Sequence, residues 1–140
     1  NEQTEPDGEE TGTEAREPGL RLLIADDNPK VLGLLEKNFH RLKIPVVTAM
    51  GFEEAGKLLK PRTFDAVVAD QYMEGGSAVD FCMSIQGQYP GLIKIVMADK
   101  VDKELAEARQ RGIIDGYIDK PVSDTSILKA PRNCGREMEA

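Results

Sequence analysis

The sequence predicts a doubly wound α/β fold, a five-stranded parallel sheet with strand order 2-1-3-4-5 and helices on both faces. Two observations predict it. Short apolar runs alternate along the chain with amphipathic helical patterns, which indicates parallel strands joined by right-handed crossovers. The run "DAVVAD" is apolar on both faces of a strand, as expected for a central strand of a parallel sheet.

The predicted strands are short apolar runs bounded by polar or turn residues. They are Leu20–Ala25, Val46–Ala49, Phe64–Ala69, Ile93–Ala98 and Gly116–Ile118. In a sheet of this order, ligands bind at the carboxyl ends of the strands, beside the switch point between the first and third strands. That edge of the sheet is therefore where a functional site is expected.

The first helix is predicted from its start signal and its apolar spacing. Asn28 is suited to the N-cap and Pro29 to the first helical position. Apolar residues then recur at helical spacing, at Val31, Leu35, Phe39 and Leu42.

Four further helices are predicted from "FEEAGKLLK", from a start at Ser77, from "VDKELAEARQRG" and from "SDTSILKA". Their inward positions are expected to be Ala55, Leu58, Leu59, Val79, Cys82, Ile85, Val101, Leu105 and Ala108. Gly112 is a C-terminal stop for the fourth helix, and Pro131 is expected to cut the last helix short. Strands and helices in this order favour a flavodoxin-like, three-layer sandwich.

Length and charge divide the chain into one domain and two tails. The chain has 140 residues and is 40% apolar, which is enough for one ordinary core. Residues 1–18 hold six Glu and one Asp against one Arg, which makes −6 of the total charge of −7. They carry few apolar residues, so a disordered acidic tail is expected there, followed by a domain over 19–130 and a C-terminal tail or linker over 131–140.

The same composition argues against several classes of partner. The domain is nearly neutral and carries no basic patch of the kind that binds nucleic acid. No apolar run approaches the length of a membrane span, and none has the pattern of a signal peptide, so neither is expected. Cys82 and Cys134 are interpreted as free thiols in a reducing compartment, so a cytoplasmic protein is expected.

Charged residues follow the strands that should lie at the centre and at one side of the sheet. Asp26 and Asp27 follow the first strand, Asp70 ends the third, and Lys120 follows the fifth. Neighbouring carboxylates raise one another's pKa unless a cation intervenes. A hard divalent cation with oxygen ligands would do this, and Mg²⁺ is the candidate.

These residues also carry a family resemblance. The segments "LLIADDNP", "FDAVVADQYM" and "GYIDKPV", in this order and spacing, resemble the response-regulator receiver domain of two-component signalling, a CheY-like fold. The resemblance extends from about Leu20 to Leu128. It implies a phosphoprotein that receives its phosphoryl group from a histidine kinase or histidine phosphotransfer protein, and that acts on a downstream effector domain or protein. It does not imply an enzyme with a separate substrate.

The resemblance assigns roles residue by residue. Asp70 would be the phosphoacceptor, and Lys120 would contact the phosphoryl group. Asp27 would bind Mg²⁺ directly, Asp26 largely through water, and the backbone carbonyl of Tyr72 would be a further ligand together with Asp70.

The sequence departs from the family pattern at the switch positions. Family members usually carry Thr or Ser at the end of the fourth strand, where its hydroxyl reaches the phosphoryl group, but this chain has Ala98 followed by Asp99. Tyr117 matches the aromatic residue that family members swing inward on activation, although a tyrosine at the edge of the core is an equally good interpretation.

Two functions therefore stay open. The first is a phosphorylatable receiver with muted switching, and the second is a degenerate receiver that binds a partner without phosphate. A magnesium-dependent phosphohydrolase would need a second acid two residues after the nucleophile, where this chain has Tyr72. His40 is interpreted as a surface residue, against a rare role in phosphotransfer.

Overall fold

The computed structural model describes residues 21–133, of which residues 131–133 are described by their backbone alone. The elements in chain order are β1 Leu22–Ala25, α1 Pro29–Arg41, β2 Val46–Ala49, α2 Phe52–Leu58, β3 Ala66–Asp70, β4 Tyr72–Met73, β5 Gly76–Ser77, α3 Ala78–Ser84, β6 Ile93–Ala98, α4 Lys103–Gln110, β7 Gly116–Asp119 and α5 Asp124–Asn133. The predicted acidic tail 1–18 and residues 134–140 lie outside the described residues.

The sheet has the order β2-β1-β3-β6-β7, with every pairing parallel. This is the predicted order 2-1-3-4-5, since β4 and β5 form a separate two-stranded hairpin, and the fold prediction is confirmed. Ala25 pairs with Ala69, so β1 and β3 end side by side at the switch point. Ala98, the last residue of β6, pairs with Asp119 of β7.

The sheet separates two apolar layers because successive strand residues point to opposite faces. One layer contains Leu23, Val67 and Val96 and is covered by α2, α3 and α4. The other contains Ile24, Val68 and Ile95 and is covered by α1 and α5. Every residue of β1 and β3 is buried, as the apolar runs predict.

Helix α1 begins as predicted, because the Asn28 side chain accepts a hydrogen bond from the Lys30 backbone N–H at 2.9 Å. Its buried residues are Leu32, Leu35 and Phe39. Leu42, the last residue of the predicted helical spacing, lies outside the helix, which ends at Arg41, and it is 47% exposed at the C-cap. Val31 is only half-buried.

The remaining inward positions follow the prediction closely. The residues that are buried are Ala55, Leu59, Val79, Cys82, Ile85, Leu105 and Ala108. Leu58 and Val101 are half-buried and pack at the margin of the same layer. Burial raises the pKa of the Cys82 thiol to about 12, so this side chain is a protonated core residue.

The end of the last helix differs from the prediction. Helix α5 continues through Pro131 to Asn133, so the prediction that Pro131 cuts it short was wrong. A proline removes one backbone hydrogen bond, and here it lies in the last turn, where that loss is small. The helix is held instead by Ile127 and Ala130, which are buried against the sheet.

The hairpin of β4 and β5 was not predicted from the sequence. Tyr72 pairs with Ser77 and Met73 with Gly76, so Glu74 and Gly75 form its turn. Gly75 has φ +93°, a conformation that residues with a side chain rarely adopt. No helix within residues 21–133 is both long and apolar enough to span a bilayer.

Candidate functional site

Three carboxylates lie together at the carboxyl edge of the sheet. Asp26 and Asp27 directly follow β1, and Asp70 is the last residue of β3. One carboxylate oxygen of each lies within 4.8 Å of those of the other two. Asp26 and Asp70 are only 4% and 6% exposed, whereas Asp27 is exposed to solvent. The adjacency of two parallel strands therefore brings acids from distant parts of the chain into one cluster.

Lys120 joins this cluster from the end of β7. Its ammonium lies 2.5 Å from Oδ1 of Asp70. Its backbone N–H donates to the Ala98 carbonyl at 2.8 Å, which extends the β6–β7 pairing by one residue. The peptide bond from Lys120 to Pro121 is cis. The acid cluster is thus paired with a cation on one side, at Asp70.

Burial raises the pKa of Asp26, and the nearby charges of Asp70 and Asp27 add to this effect. The Asn28 backbone N–H, which donates to Oδ1 of Asp26 at 2.9 Å, and the positive charge of Lys120 act in the opposite direction. The net result is a carboxylate whose ionised form is destabilised in the folded chain.

Partial burial lowers the pKa of the Lys120 ammonium, but the hydrogen bond and the charge of Asp70 outweigh it. Its pKa is therefore raised above the ordinary value, with smaller contributions from Asp99 and Asp26. Lys120 is consequently a permanent positive charge beside Asp70 at neutral pH.

The acid cluster fits a hard divalent cation. Hard cations prefer oxygen ligands, and the carboxylates of Asp26, Asp27 and Asp70 can approach one ion together. The three carboxylates and the Lys120 ammonium leave a formal charge of −2, which a divalent cation would balance. Tyr72, whose backbone carbonyl is the other predicted ligand, begins β4 two residues after Asp70.

A cavity of about 260 Å³ opens beside Asp70 and Lys120. Its other lining residues are Gln71, Tyr72, Asp99, Lys100 and Asp102. The cavity therefore lies between the loop that follows β3 and the segment that leads into α4.

Asp102 connects the two sides of this cavity. Its Oδ2 accepts hydrogen bonds from the Tyr72 hydroxyl at 3.1 Å and from Nε2 of Gln71 at 3.2 Å. Its Oδ1 accepts from the Leu105 backbone N–H at 2.9 Å, so Asp102 is also the N-cap of α4. The Leu105 bond holds the pKa of Asp102 below its ordinary value, and the bond to Asp102 raises the pKa of Tyr72.

The two predicted switch positions lie on either side of α4. Ala98 is fully buried at the end of β6 and brings no hydroxyl to the site, and Asp99 follows it into the wall of the cavity. Tyr117 of β7 is half-buried, and the guanidinium of Arg109 lies over its ring, 5.7 Å from the centroid. The structure thus separates Tyr117 from the acid cluster and pairs it with α4.

Sequence reasoning missed the part of Asp102 and Gln71 in the site. A signal for Asp102 was present, because it stands three residues before the inward-facing Leu105, where an N-cap belongs. No local pattern relates Asp102 to Tyr72, since that contact spans thirty residues. His40 is exposed on α1, as predicted.

The sequence matches a protein-family model and curated relatives. The family model of the response regulator receiver domain matches residues 22–132. The response regulator protein PilR of Pseudomonas aeruginosa is 31% identical over 104 residues, which cover 73% of this chain and 23% of PilR. This chain spans less than half the length of the curated relatives it matches.

Solved structures share the fold. The non-phosphorylated receiver domain of HemR from Leptospira biflexa has a TM-score of 0.74 at 20% identity, covering 86% of this chain and 98% of that one. A response regulator from Burkholderia pseudomallei, solved with a phosphorylated aspartic acid, calcium ion and citrate, has a TM-score of 0.69 at 24% identity, covering 79% and 65%. At these identities the likeness supports the fold alone.

Proposed function

Because this chain belongs to the response regulator receiver domain family, we propose that it accepts a phosphoryl group on Asp70 from a partner histidine kinase or histidine phosphotransfer protein. The observation that carries the proposal is the pairing of the Asp70 carboxylate with the Lys120 ammonium at 2.5 Å, beside two further acids. The Burkholderia pseudomallei relative with a phosphorylated aspartic acid gives a precedent for this chemistry on the same fold.

The chain's own residues supply the acceptor and a cation. An oxygen of Asp70 attacks the phosphorus of the donor phosphohistidine, so an O–P bond forms while the N–P bond breaks and the imidazole leaves. Lys120 lies where it can neutralise charge on the phosphoryl oxygens without a change of protonation. The chain is then a partner in the transfer that assists its own phosphorylation and dephosphorylation, rather than an enzyme with a separate substrate.

We propose that Mg²⁺ is required, held by Asp26, Asp27 and Asp70 with the carbonyl of Tyr72. When bound, the ion supplies positive charge that screens the carboxylates and the phosphoryl oxygens from one another. Asp26, which is destabilised as an anion, would gain from that screening.

We propose that switching is muted, because the buried Ala98 offers no hydroxyl to a phosphoryl group on Asp70. A phosphoryl group shifts a conformational equilibrium only through contacts that differ between the two states. The same observation supports a second candidate function, a degenerate receiver that binds its partner without phosphate. Asp99 in the cavity wall favours this second function, since it repels an anionic ligand.

The corresponding partners are a cytoplasmic kinase or phosphotransfer protein upstream and an effector domain or protein downstream. This chain covers 23% of the length of PilR. We therefore propose that the effector is either another part of a longer protein or a separate protein. Nothing about the nearly neutral described domain suggests direct contact with nucleic acid.

The function is tested by Asp70→Asn. With Mg²⁺ and a small phosphodonor, the unchanged chain should gain the mass of one phosphoryl group, and hydroxylamine should remove it because it is an acyl phosphate. Asp70→Asn should abolish the gain. Asp99→Asn is the matched control, since it removes an acid from the same cavity and should keep the gain.

Hydroxylamine-labile labelling that persists in Asp70→Asn would contradict the assignment of the acceptor. An unchanged chain that takes up no phosphoryl group, but still captures its partner, would favour the degenerate receiver.

A further inference from the structure

Asp102 occupies a position that the proposed transfer does not use. One of its oxygens caps α4 through the Leu105 N–H, and the other holds Gln71 and Tyr72, the two residues that follow Asp70. A single exposed carboxylate therefore fastens the loop behind the acceptor to the first turn of α4.

The charge of Asp102 faces the same cavity as Asp70. A phosphoryl group on Asp70 would carry about 1.5 to 2 negative charges in place of the single charge of the carboxylate, together with strong hydrogen-bond acceptors. It would repel the Asp102 carboxylate and compete with it for the donors on Gln71 and Tyr72. Lys100 and Lys120, the cations of the cavity wall, would be drawn toward the phosphoryl group instead.

We call Asp102, with its hydrogen bonds to Gln71 and Tyr72 on one side and to Leu105 on the other, the tether. Its two ends differ in how firmly they are held. Leu105 is fully buried, so the body of α4 stays packed on the sheet. Tyr72 is 55% exposed, so its hydroxyl can exchange Asp102 for water at little cost. Gln71, in contrast, is buried, so the bond from Tyr72 is the one that an added anion would break first.

We propose that Asp102 is a positioning residue through which a phosphoryl group on Asp70 acts on the first turn of α4. The acceptor loop is fastened to Asp102 in the free state and released from it when the cavity becomes anionic. This route needs no hydroxyl at Ala98, and its effect stays local to residues 99–105 and the loop after β3. The inference rests on the proposed function of Asp70 and goes beyond it.

Beryllofluoride, which mimics the phosphoryl group on an aspartate, tests the proposal with two independent readouts. Fluorine NMR reports whether it is bound in the presence of Mg²⁺, and the Leu105 amide shift reports the cap of α4. In the unchanged chain, binding should move the Leu105 amide. In Asp102→Asn, which keeps a good capping residue, binding should persist while the shift induced at Leu105 falls to less than about a third.

Asp99→Asn is the matched control, since it removes the same charge from the same cavity without touching the tether. It should retain the induced shift at Leu105. Tyr72→Phe removes one of the two hydrogen bonds that join the loop after β3 to Asp102 without changing any charge, and it should tighten beryllofluoride binding by about two- to fivefold, because coupling between two events is reciprocal.

A Leu105 shift that is undiminished in Asp102→Asn, or equally reduced in Asp99→Asn, would overturn the role of Asp102. A Tyr72→Phe chain that binds no more tightly would overturn the coupling between tether and cavity. Failure of the unchanged chain to bind beryllofluoride is a different result: it would reject the proposed function, and the coupling with it.

Discussion

At the scale of single residues, the negative charges of the site exceed the positive ones. Asp26, Asp27, Asp70 and Lys120 sum formally to two negative charges, which one divalent cation would cancel. Without a cation the cost falls on Asp26, the buried acid whose pKa is raised by burial and by its acidic neighbours. The uncompensated charge therefore lowers the stability of the metal-free chain, and binding of a divalent cation would offset this loss.

Asp26→Asn should stabilise the metal-free chain at neutral pH. The pKa of Asp26 is higher in the folded chain than in the unfolded chain. The free energy of unfolding therefore falls as the pH rises through these two pKa values, and the full decrease is present above the folded-state pKa. The melting temperature should rise by about 2–6 °C at pH 7, as ~1 kcal/mol gives in a domain of this size. The gain should vanish below about pH 3.5, where the Asp26 side chain is largely protonated in both the folded and the unfolded chain.

Melting curves without metal, recorded between pH 3 and 8, check this prediction. Asp27→Asn is the control, since it removes the same charge from an exposed side chain and should give a smaller gain. An equal gain at pH 3 and pH 7 would show that the effect is not electrostatic.

At the scale of elements, α4 is the helix through which the proposed role of Asp102 would act. Its N-terminal cap, Asp102, faces the cavity, and near its other end Arg109 lies over Tyr117 of β7. The end of β6 lies between Asp70 and Tyr117, and Ala98 carries no polar atom on its side chain there. The side chain of Ala98 therefore offers no polar link from Asp70 to the far half of α4 and to Tyr117.

Ala98→Thr should restore part of the missing coupling. A hydrogen bond to a charged group contributes about 1.5–3 kcal/mol, which would increase the bias toward a second state by roughly ten- to a hundredfold. The amide shifts of Arg109 to Tyr117 on adding beryllofluoride and Mg²⁺ should be small in the unchanged chain and larger in Ala98→Thr.

Ala98→Val provides the control, because valine has the shape of threonine without the hydroxyl and imposes the same crowding on this buried position. Large, cooperative shifts at Arg109 to Tyr117 in the unchanged chain would refute the muted switching proposed for Ala98.

At the scale of the whole molecule, the alternation of strand and helix was readable from the sequence because each element carries its own period. β2 and β6 have their predicted bounds, and β3 and β7 differ from theirs by one or two residues. The acids and the lysine of the site stand at or directly after the ends of β1, β3 and β7. Two kinds of feature could not be predicted. The strands of the hairpin at Tyr72 and Gly76 are too short to show a periodic pattern of apolar residues, and other features depend on tertiary contacts. The tether at Asp102 and the continuation of α5 through Pro131 are of the second kind.

Deletion of residues 1–18 should leave the core unaffected. The segment carries −6 of the chain's charge and almost no apolar residues, so it has little to bury. The melting temperature should change by less than about 2 °C, as expected for a change well below ~1 kcal/mol. Calorimetry at two salt concentrations checks this: a larger drop at both would show that the segment packs on the domain, and a drop at low salt alone would show an electrostatic contact.

The order of the site's residues along the chain has a consequence for a polypeptide that is still being made. Asp26 and Asp27 leave the ribosome first, Asp70 follows, and Lys120 comes last, on the far side of β6. A nascent chain that has paired β1 with β3 thus holds three acids without their cation, and an anionic donor would be repelled from it. Under the proposed function, a chain could therefore receive a phosphoryl group only once β7 has docked and brought Lys120 to the site.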